Sequence, residues 1–254
     1  MYNEPSINEL KINELAEFIE KQIGASVEIR QKFFQHFNLE KEILYQIASC
    51  RVFNPYVPFE KHNPTIEDIT FEERSEMPSA TNNIILYDGF ELQNIFKHAI
   101  PDSELSSDKF HLIFTTKLTC SYDYEDYRYH GRAVICSNPS IISTTGMIEA
   151  PAKPRDYYVQ LYEKMSQGLN LEAAKREFDG RFLEYHDNRL RFIVRGYALQ
   201  AIFYYLTSVP FCESKKCMLY NAHWQEDLLY TQMKVGKLCE HHQEVLSNLQ
   251  NQYA

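Results

Sequence analysis

This chain has no surplus of basic residues, no phosphate-binding loop, no leader-like start and no membrane span, and each absence narrows its function. Acidic residues outnumber basic ones and the net charge is -9. A broad electrostatic grip on nucleic acid or on an anionic bilayer needs a basic surface, so neither partner is expected. A glycine-rich phosphate loop, a GxSxG elbow and a dinucleotide fingerprint are all missing, which removes the nucleotide and serine-hydrolase signatures. The first residues, MYNEPSINELK, are acidic and polar, whereas a secretory leader is basic and then apolar. With cysteines that look unpaired, the expectation is a reducing cytoplasm. The longest apolar run, around Val194–Val209, is interrupted by Arg195 and Gln200 and falls short of the roughly twenty apolar residues that a span requires.

What is present suits an α/β protein with a sizeable core. The 254 residues are 44% hydrophobic and 24% charged, with 18 tyrosines and 16 phenylalanines, ordinary values for a globular chain. Residues Ile7–Gln22 have helical spacing with Ser6 as N-cap, Gly24 ends that helix, and Ala25–Arg30 has strand character. Phe33–Cys50 is predicted helical. Four prolines punctuate the acidic stretch Asn54–Ala80, an insertion or linker expected to lie across the surface. Asn83–Tyr87 is a short strand, after which Asp88 caps a helix to Ala99. Phe110–Cys120 alternates Leu112, Phe114, Thr116 and Leu118 on one face, and Arg132–Ser137 is a further strand. The polar connection Ser121–Tyr129 is expected to be a solvated loop. Helices follow at Pro154–Gln167 and Leu171–Phe178. The segment Arg189–Val209 is apolar nearly all round, which requires a helix covered on several sides.

Half of the six cysteines fall in the last quarter of the chain. Cys212 and Cys217 are separated by four residues, and Cys239 and His242 by two. Thiolates and imidazole in closed sets of four are the ligands of structural zinc, with two to four residues inside each pair. Cys212, Cys217, Cys239 and His242 would leave no open position for a catalytic water. His241 could replace His242. The competing readings are buried thiols with a surface histidine, and a Cys212–Cys217 disulfide.

A buried helix, then C-x4-C-M, then a C-x2-C-like pair resembles the C-terminal plan of the archaemetzincins, zinc metallopeptidase-like proteins of the metzincin clan. Tyr87-Asp88 before a helix resembles that family's Q-Y-D-S segment, and the strands around Leu112 and Arg132 resemble its central strands. The chain also looks like an uncharacterised archaeal set of metallopeptidase-like proteins. The resemblance extends over Ala25–Leu246 and implies one metzincin-like domain over residues 1–254. That domain would have a mixed sheet packed by helices, a buried central helix, an insertion at about 54–80 and a zinc-stabilised segment at 212–242. It would hold one structural zinc per chain.

The departures bear directly on chemistry. In the family the helix carries H-E-x-x-H-x-x-G-x-x-H-C. Anchored on Cys212, its first histidine falls on Ala201, its glutamate on Ile202, its second histidine on Tyr205, its glycine on Ser208 and its third histidine on Phe211. A metzincin needs three imidazoles on the metal and a carboxylate to take a proton from its water. Alanine and phenylalanine cannot ligate, and isoleucine cannot act as a base. No histidine lies between His186 and His223, so no shift of register restores the motif. The expectation is a pseudoenzyme that binds a peptide or protein partner, with an extended peptide pairing at a sheet edge. A rebuilt hydrolase would bring His130, His186 or His223 together with carboxylates. A complex-forming protein would dock partners on Asn54–Ala80 and the helix Glu240–Tyr253. Tyr197, Tyr204 and Tyr205 would line an empty groove or simply pack. Met218 is core filler unless a catalytic zinc sits above it, and the group His223, Trp224 and Glu226 favours a helix start over partner binding. Cys120 and Cys136 on neighbouring strands are buried thiols by default, a nucleophilic pair otherwise.

Overall fold

The structure, a computed structural model, describes residues 1–39, 41–74, 84–170 and 176–253. It is a mixed α/β arrangement with helices on both faces of small mixed sheets. In chain order the elements are α1 (Ile12–Ile23), α2 (Phe33–His36), α3 (Lys41–Ser49), α4 (Ile66–Arg74), β1 (Leu86–Asp88), α5 (Gly89–Ala99), β2 (Leu112–Thr115), β3 (Leu118–Asp123), β4 (Arg128–Arg132), β5 (Val134–Ile135), β6 (Ser140–Ser143), α6 (Thr144–Glu149), α7 (Arg155–Ser166), α8 (Leu190–Thr207), α9 (Gln225–Leu229), a π turn (Tyr230–Val235) and α10 (Glu240–Tyr253).

Two three-stranded ladders have the orders β1-β3-β4 and β2-β6-β5. The pairs β1/β3 and β2/β6 are parallel, while β3/β4 and β5/β6 are antiparallel. The alternation expected on β2 is observed. Leu112 and Phe114 join a cluster with Leu15 and Ile19 of α1, Ile142 of β6 and Ile193, Val194 and Ala198 of α8. Ile113 and Ile141 face the other way, against Tyr2, Phe33, Ile47 and Phe96. Successive strand residues point to opposite faces, so one short ladder serves two cores.

The run Phe110–Cys120 is not one strand. The carbonyls of Thr115, Thr116 and Lys117 turn out of the ladder and accept bonds from the hydroxyls of Thr144, Thr145 and Ser143 at the start of α6. β3 then continues to Asp123, so most of the expected loop Ser121–Tyr129 is a hairpin turned at residues 124–127. The expected strand at Arg132–Ser137 is correspondingly displaced into β4 and β5.

Near the N-terminus, Ala25–Arg30 forms only a bridge at Arg30, to Tyr2, which also bridges Ile113. Tyr2 thus carries the sheet outward from β2. Ser6 caps no helix, because its amide and hydroxyl both go to Glu4; α1 starts after Lys11, which is left-handed at φ 49°. Phe33–Cys50 divides into α2 and α3. The proline-rich stretch is not merely a surface linker: its residues 66–74 form α4, whose Glu72 is buried. Asp88 caps α5 as expected, accepting from Phe90 and Glu91. Of the strand expected at Asn83–Tyr87, Leu86 and Tyr87 are seen in β1, and Asn83 lies outside the described residues, as do residues 75–80 of the insertion. The expected helix Leu171–Phe178 falls largely on residues 171–175, also outside them; only Arg176 and Glu177 are described as helical.

The segment α8 is the buried rod its composition requires, with Ile193, Val194, Ala198, Leu199 and Ala201 at 0% exposure. Full burial of each large apolar side chain contributes about 1.5–3 kcal/mol. Gly196 lets Gln232 lie against the helix, since a Cβ there would sit 2.1 Å from Gln232 Oε1. The rod ends at Ser208, left-handed at φ 61°, and Pro210 prevents its continuation. Among the described residues, no helix is long and apolar enough to cross a membrane.

Candidate metal centre

The turn that follows α8 brings Cys212 and Cys217 to the start of α10. Cys212 N donates to Leu219 O at 2.9 Å and Met218 N to Lys237 O at 3.0 Å, which ties the cysteine loop to the segment preceding Cys239. Two buried glutamines clamp the same turn: Gln200 Nε2 donates to Tyr220 O at 3.2 Å and Gln232 Nε2 to Met218 O at 2.8 Å. Leu199 and Phe203 of α8 pack on Cys217, Met218, Leu219, Leu238 and Leu246. The central helix is therefore the wall against which the segment is built.

Within this frame the ligand atoms of Cys212, Cys217, Cys239 and His242 all lie within 4.8 Å of one another. His242 Nδ1 is 3.1 Å from Cys239 Sγ and 3.8 Å from Cys217 Sγ. A zinc tetrahedron with Zn–S bonds of about 2.3 Å has edges of roughly 3.8 Å, so the donor set and its spacing fit the ion. Backbone amides point at two of the sulfurs: Ser214 N at Cys212 Sγ and Cys239 N at Cys217 Sγ, each 3.4 Å. Such donors favour thiolates. Cys217 is 0% exposed and His242 8%. Burial pushes the Cys217 thiol up to about 12 and holds the His242 imidazole below its usual range. Without a cation the thiol therefore stays protonated, and metal binding would release its proton. All six cysteines, Cys212 and Cys217 included, are free thiols in the structure. His241 is exposed beside this group, its ring 4.9 Å from that of His242.

The positions singled out by the archaemetzincin resemblance, Ala201, Ile202, Tyr205 and Phe211, have these surroundings in the structure. Ala201 is 0% and Ile202 6% exposed, both in the main core. Tyr205 donates its hydroxyl to Ser107 O at 2.6 Å and lies on Phe110 with ring centroids 4.9 Å apart. Phe211 is 39% exposed. Tyr197 is buried and Tyr204 reaches the surface. Met218 is buried core filler. Trp224 precedes α9, where it bridges Ala152 and lies under Arg155.

The three outlying histidines do not meet in a shared metal group. His223 is exposed, and its carbonyl accepts from Ala152 N at 2.8 Å. His186 Nδ1 stands 3.4 Å from Glu9. His130 gathers with Asp123 and Asp126, two carboxylates of the segment expected to be a solvated loop, and their ligand atoms also lie within 4.8 Å of one another. The D-x2-D-x3-H spacing across the hairpin was the available signal. His130 Nε2 is 2.8 Å from Asp126 Oδ2, and Arg128 Nε is 2.7 Å from the same oxygen. Bonds from His130 and then Arg128 hold the Asp126 carboxyl below its usual range. A cation there would compete with Arg128. Among the described residues, these two groups are the only sets of three or more His, Cys, Asp and Glu residues gathered so closely. Cys120 donates to Tyr87 O at 3.2 Å, and burial raises both its pKa and that of Cys136. Neither thiol is activated as a nucleophile.

The sequence model of a family described as "Probable metallopeptidase family (DUF6775)" matches residues 1–249. No curated protein and no solved structure matches the chain.

Proposed function

We propose, from the premise that this chain belongs to the probable metallopeptidase family, that it is an archaemetzincin-like member without peptidase chemistry. It keeps one structural zinc and binds a peptide or protein partner. The observation that carries this reading is the contrast between two neighbouring pieces. Four ligands converge in the Cys212–His242 segment, while the adjoining helix holds Ala201, Ile202 and Tyr205 where a catalytic site needs histidines and a glutamate. A four-ligand site has no open position for water. Cys212, Cys217, Cys239 and His242 would hold the ion, which on binding would brace the turn against α8. The left-handed Ser208 at the family's glycine position supports the register on which this reading rests.

Peptide binding would use the antiparallel strands β4 and β5, since an extended chain adds to a sheet edge through its backbone. One backbone donor of β4, Tyr129 N, already bonds to Pro55 O at 2.7 Å, so a peptide would have to bind beside this contact or displace it.

A second reading rests on the Asp123, Asp126 and His130 group. Two carboxylates and an imidazole leave coordination positions open, as a hydrolytic site requires. Metal counting beside a casein-cleavage assay, with and without added zinc, separates the two. The preferred reading expects about one tightly held zinc per chain and no cleavage. A second, exchangeable zinc whose loss in His130→Ala abolishes cleavage would establish the other.

A further inference from the structure

Away from the cysteines, a cleft of about 320 Å³ opens between α2, α3, α4 and the end of β2. Its floor is apolar, with Phe33, Ile47 and Phe96 buried and Phe34 and Ile43 only partly so. Two ion pairs stand in its wall, and the exposed Glu73 also lines it. Lys32 Nζ is 3.4 Å from Glu4 Oε1, with side-chain exposures of 13% and 3%. The Lys117 ammonium pairs with Glu72, whose side chain is 0% exposed and also accepts from Tyr87 and Arg51. Burial lowers the Lys117 pKa. Charges taken out of water are costly, and a concave apolar surface with a few convergent polar groups is the usual form of a small-molecule site.

We propose that this cleft binds a free α-amino acid with a branched or aromatic side chain. Both signs of charge stand above one apolar floor. A zwitterion offers both signs a few ångströms apart and adds no net charge. A fatty acid offers nothing to the Glu4 carboxylate and an alkylamine nothing to the Lys32 ammonium, so each leaves one of these charged groups without a ligand partner. The volume lies at the lower end of the range for ligand sites, about 300–1,000 Å³, which suits one amino acid better than a run of peptide. The ligand carboxylate turns to Lys32, its amino group to Glu4, and its side chain lies on Phe34 and Ile43. Lys32 is shared with the ligand rather than recruited from an unpaired state. The site is independent of the proposed zinc and of the sheet edge.

Titration calorimetry and saturation-transfer NMR on the full chain test this, using L-leucine, L-phenylalanine, octanoate and hexylamine. The expected result is saturable binding of both amino acids, with octanoate and hexylamine about tenfold weaker or more. Lys32→Met should weaken leucine binding about tenfold, the scale of one charge-assisted hydrogen bond. Phe34→Ser should weaken it too while leaving both ion pairs in place, and circular dichroism confirms that each variant is folded. No saturable binding up to about 10 mM amino acid overturns the proposal. So does equal binding of octanoate or hexylamine, or wild-type affinity in both variants.

Discussion

Cys217 and His242 are 25 residues apart in sequence, and their Sγ and Nδ1 atoms are 3.8 Å apart. The contact closes a loop that contains α9, the π turn and the start of α10. A metal bridging these residues would tie the C-terminal helix to the wall formed by Leu199 and Phe203. Apparent binding energies of structural zinc are about 10–16 kcal/mol, comparable to the whole stability of a domain. Cys217→Ser should therefore reduce bound zinc from about one per chain to near zero. Chelation should lower the thermal midpoint of wild type but leave that of the variant unchanged. Elemental analysis and differential scanning fluorimetry read both outcomes.

Building the archaemetzincin motif into α8 one residue at a time should damage the fold before it adds chemistry. Ile202 sits in the main core, so Ile202→Glu puts a carboxylate where no partner is provided. The cost expected is about 2–4 kcal/mol. Ala201→His overfills a site with 0% exposure and should cost about 1–3 kcal/mol. Tyr205→Phe loses the bond to Ser107 O and should cost about 1 kcal/mol. Urea denaturation ranks the three, and a neutral Ile202→Glu would show that the position faces water rather than core.

Much of the candidate centre was legible because its ligands come in two short-range pairs, Cys212 with Cys217 and Cys239 with His242. The buried rod was legible for a similar reason, since all-round apolarity is a local property. Long-range pairing was not. Nothing local marks Tyr2 as the residue between Arg30 and Ile113. The break between β2 and β3 is made by hydroxyls of Ser143, Thr144 and Thr145, about thirty residues downstream. The role of Glu72 was hidden as well, because an acidic residue in a proline-rich stretch has the pattern of solvated chain until Arg51, Tyr87 and Lys117 are placed around it.

That arrangement makes Glu72 a sensitive position. Arg51 keeps its ion pair with Asp68, but removing the Glu72 charge takes from the buried Lys117 ammonium the carboxylate it pairs with, so Glu72→Gln should destabilise the fold by about 3–5 kcal/mol. The double variant Glu72→Gln/Lys117→Met should recover much of that loss. Equilibrium denaturation of the two variants provides the check, and equal losses in both would refute the coupling.

The buried His111 gives a pH dependence of known sign. Its Nδ1 accepts from the Tyr2 hydroxyl at 2.9 Å, and its Nε2 donates to Glu104 O at 2.8 Å, which fits a neutral ring. Burial lowers its pKa, so the unfolded chain binds the proton more readily than the folded one. The contribution to stability is complete above the unfolded pKa of about 6.5 and is lost as pH falls below it. Urea midpoints between pH 7.5 and 5.5 should fall, and His111→Gln should flatten that slope.

X-ray absorption at the zinc edge, on protein purified without added metal, reaches the central claim most directly. Three sulfurs at about 2.3 Å and one nitrogen at about 2.0 Å are the predicted shell, unchanged when substrate-like peptide is added. A shell dominated by nitrogen and oxygen, with a water ligand that peptide displaces, would contradict the account.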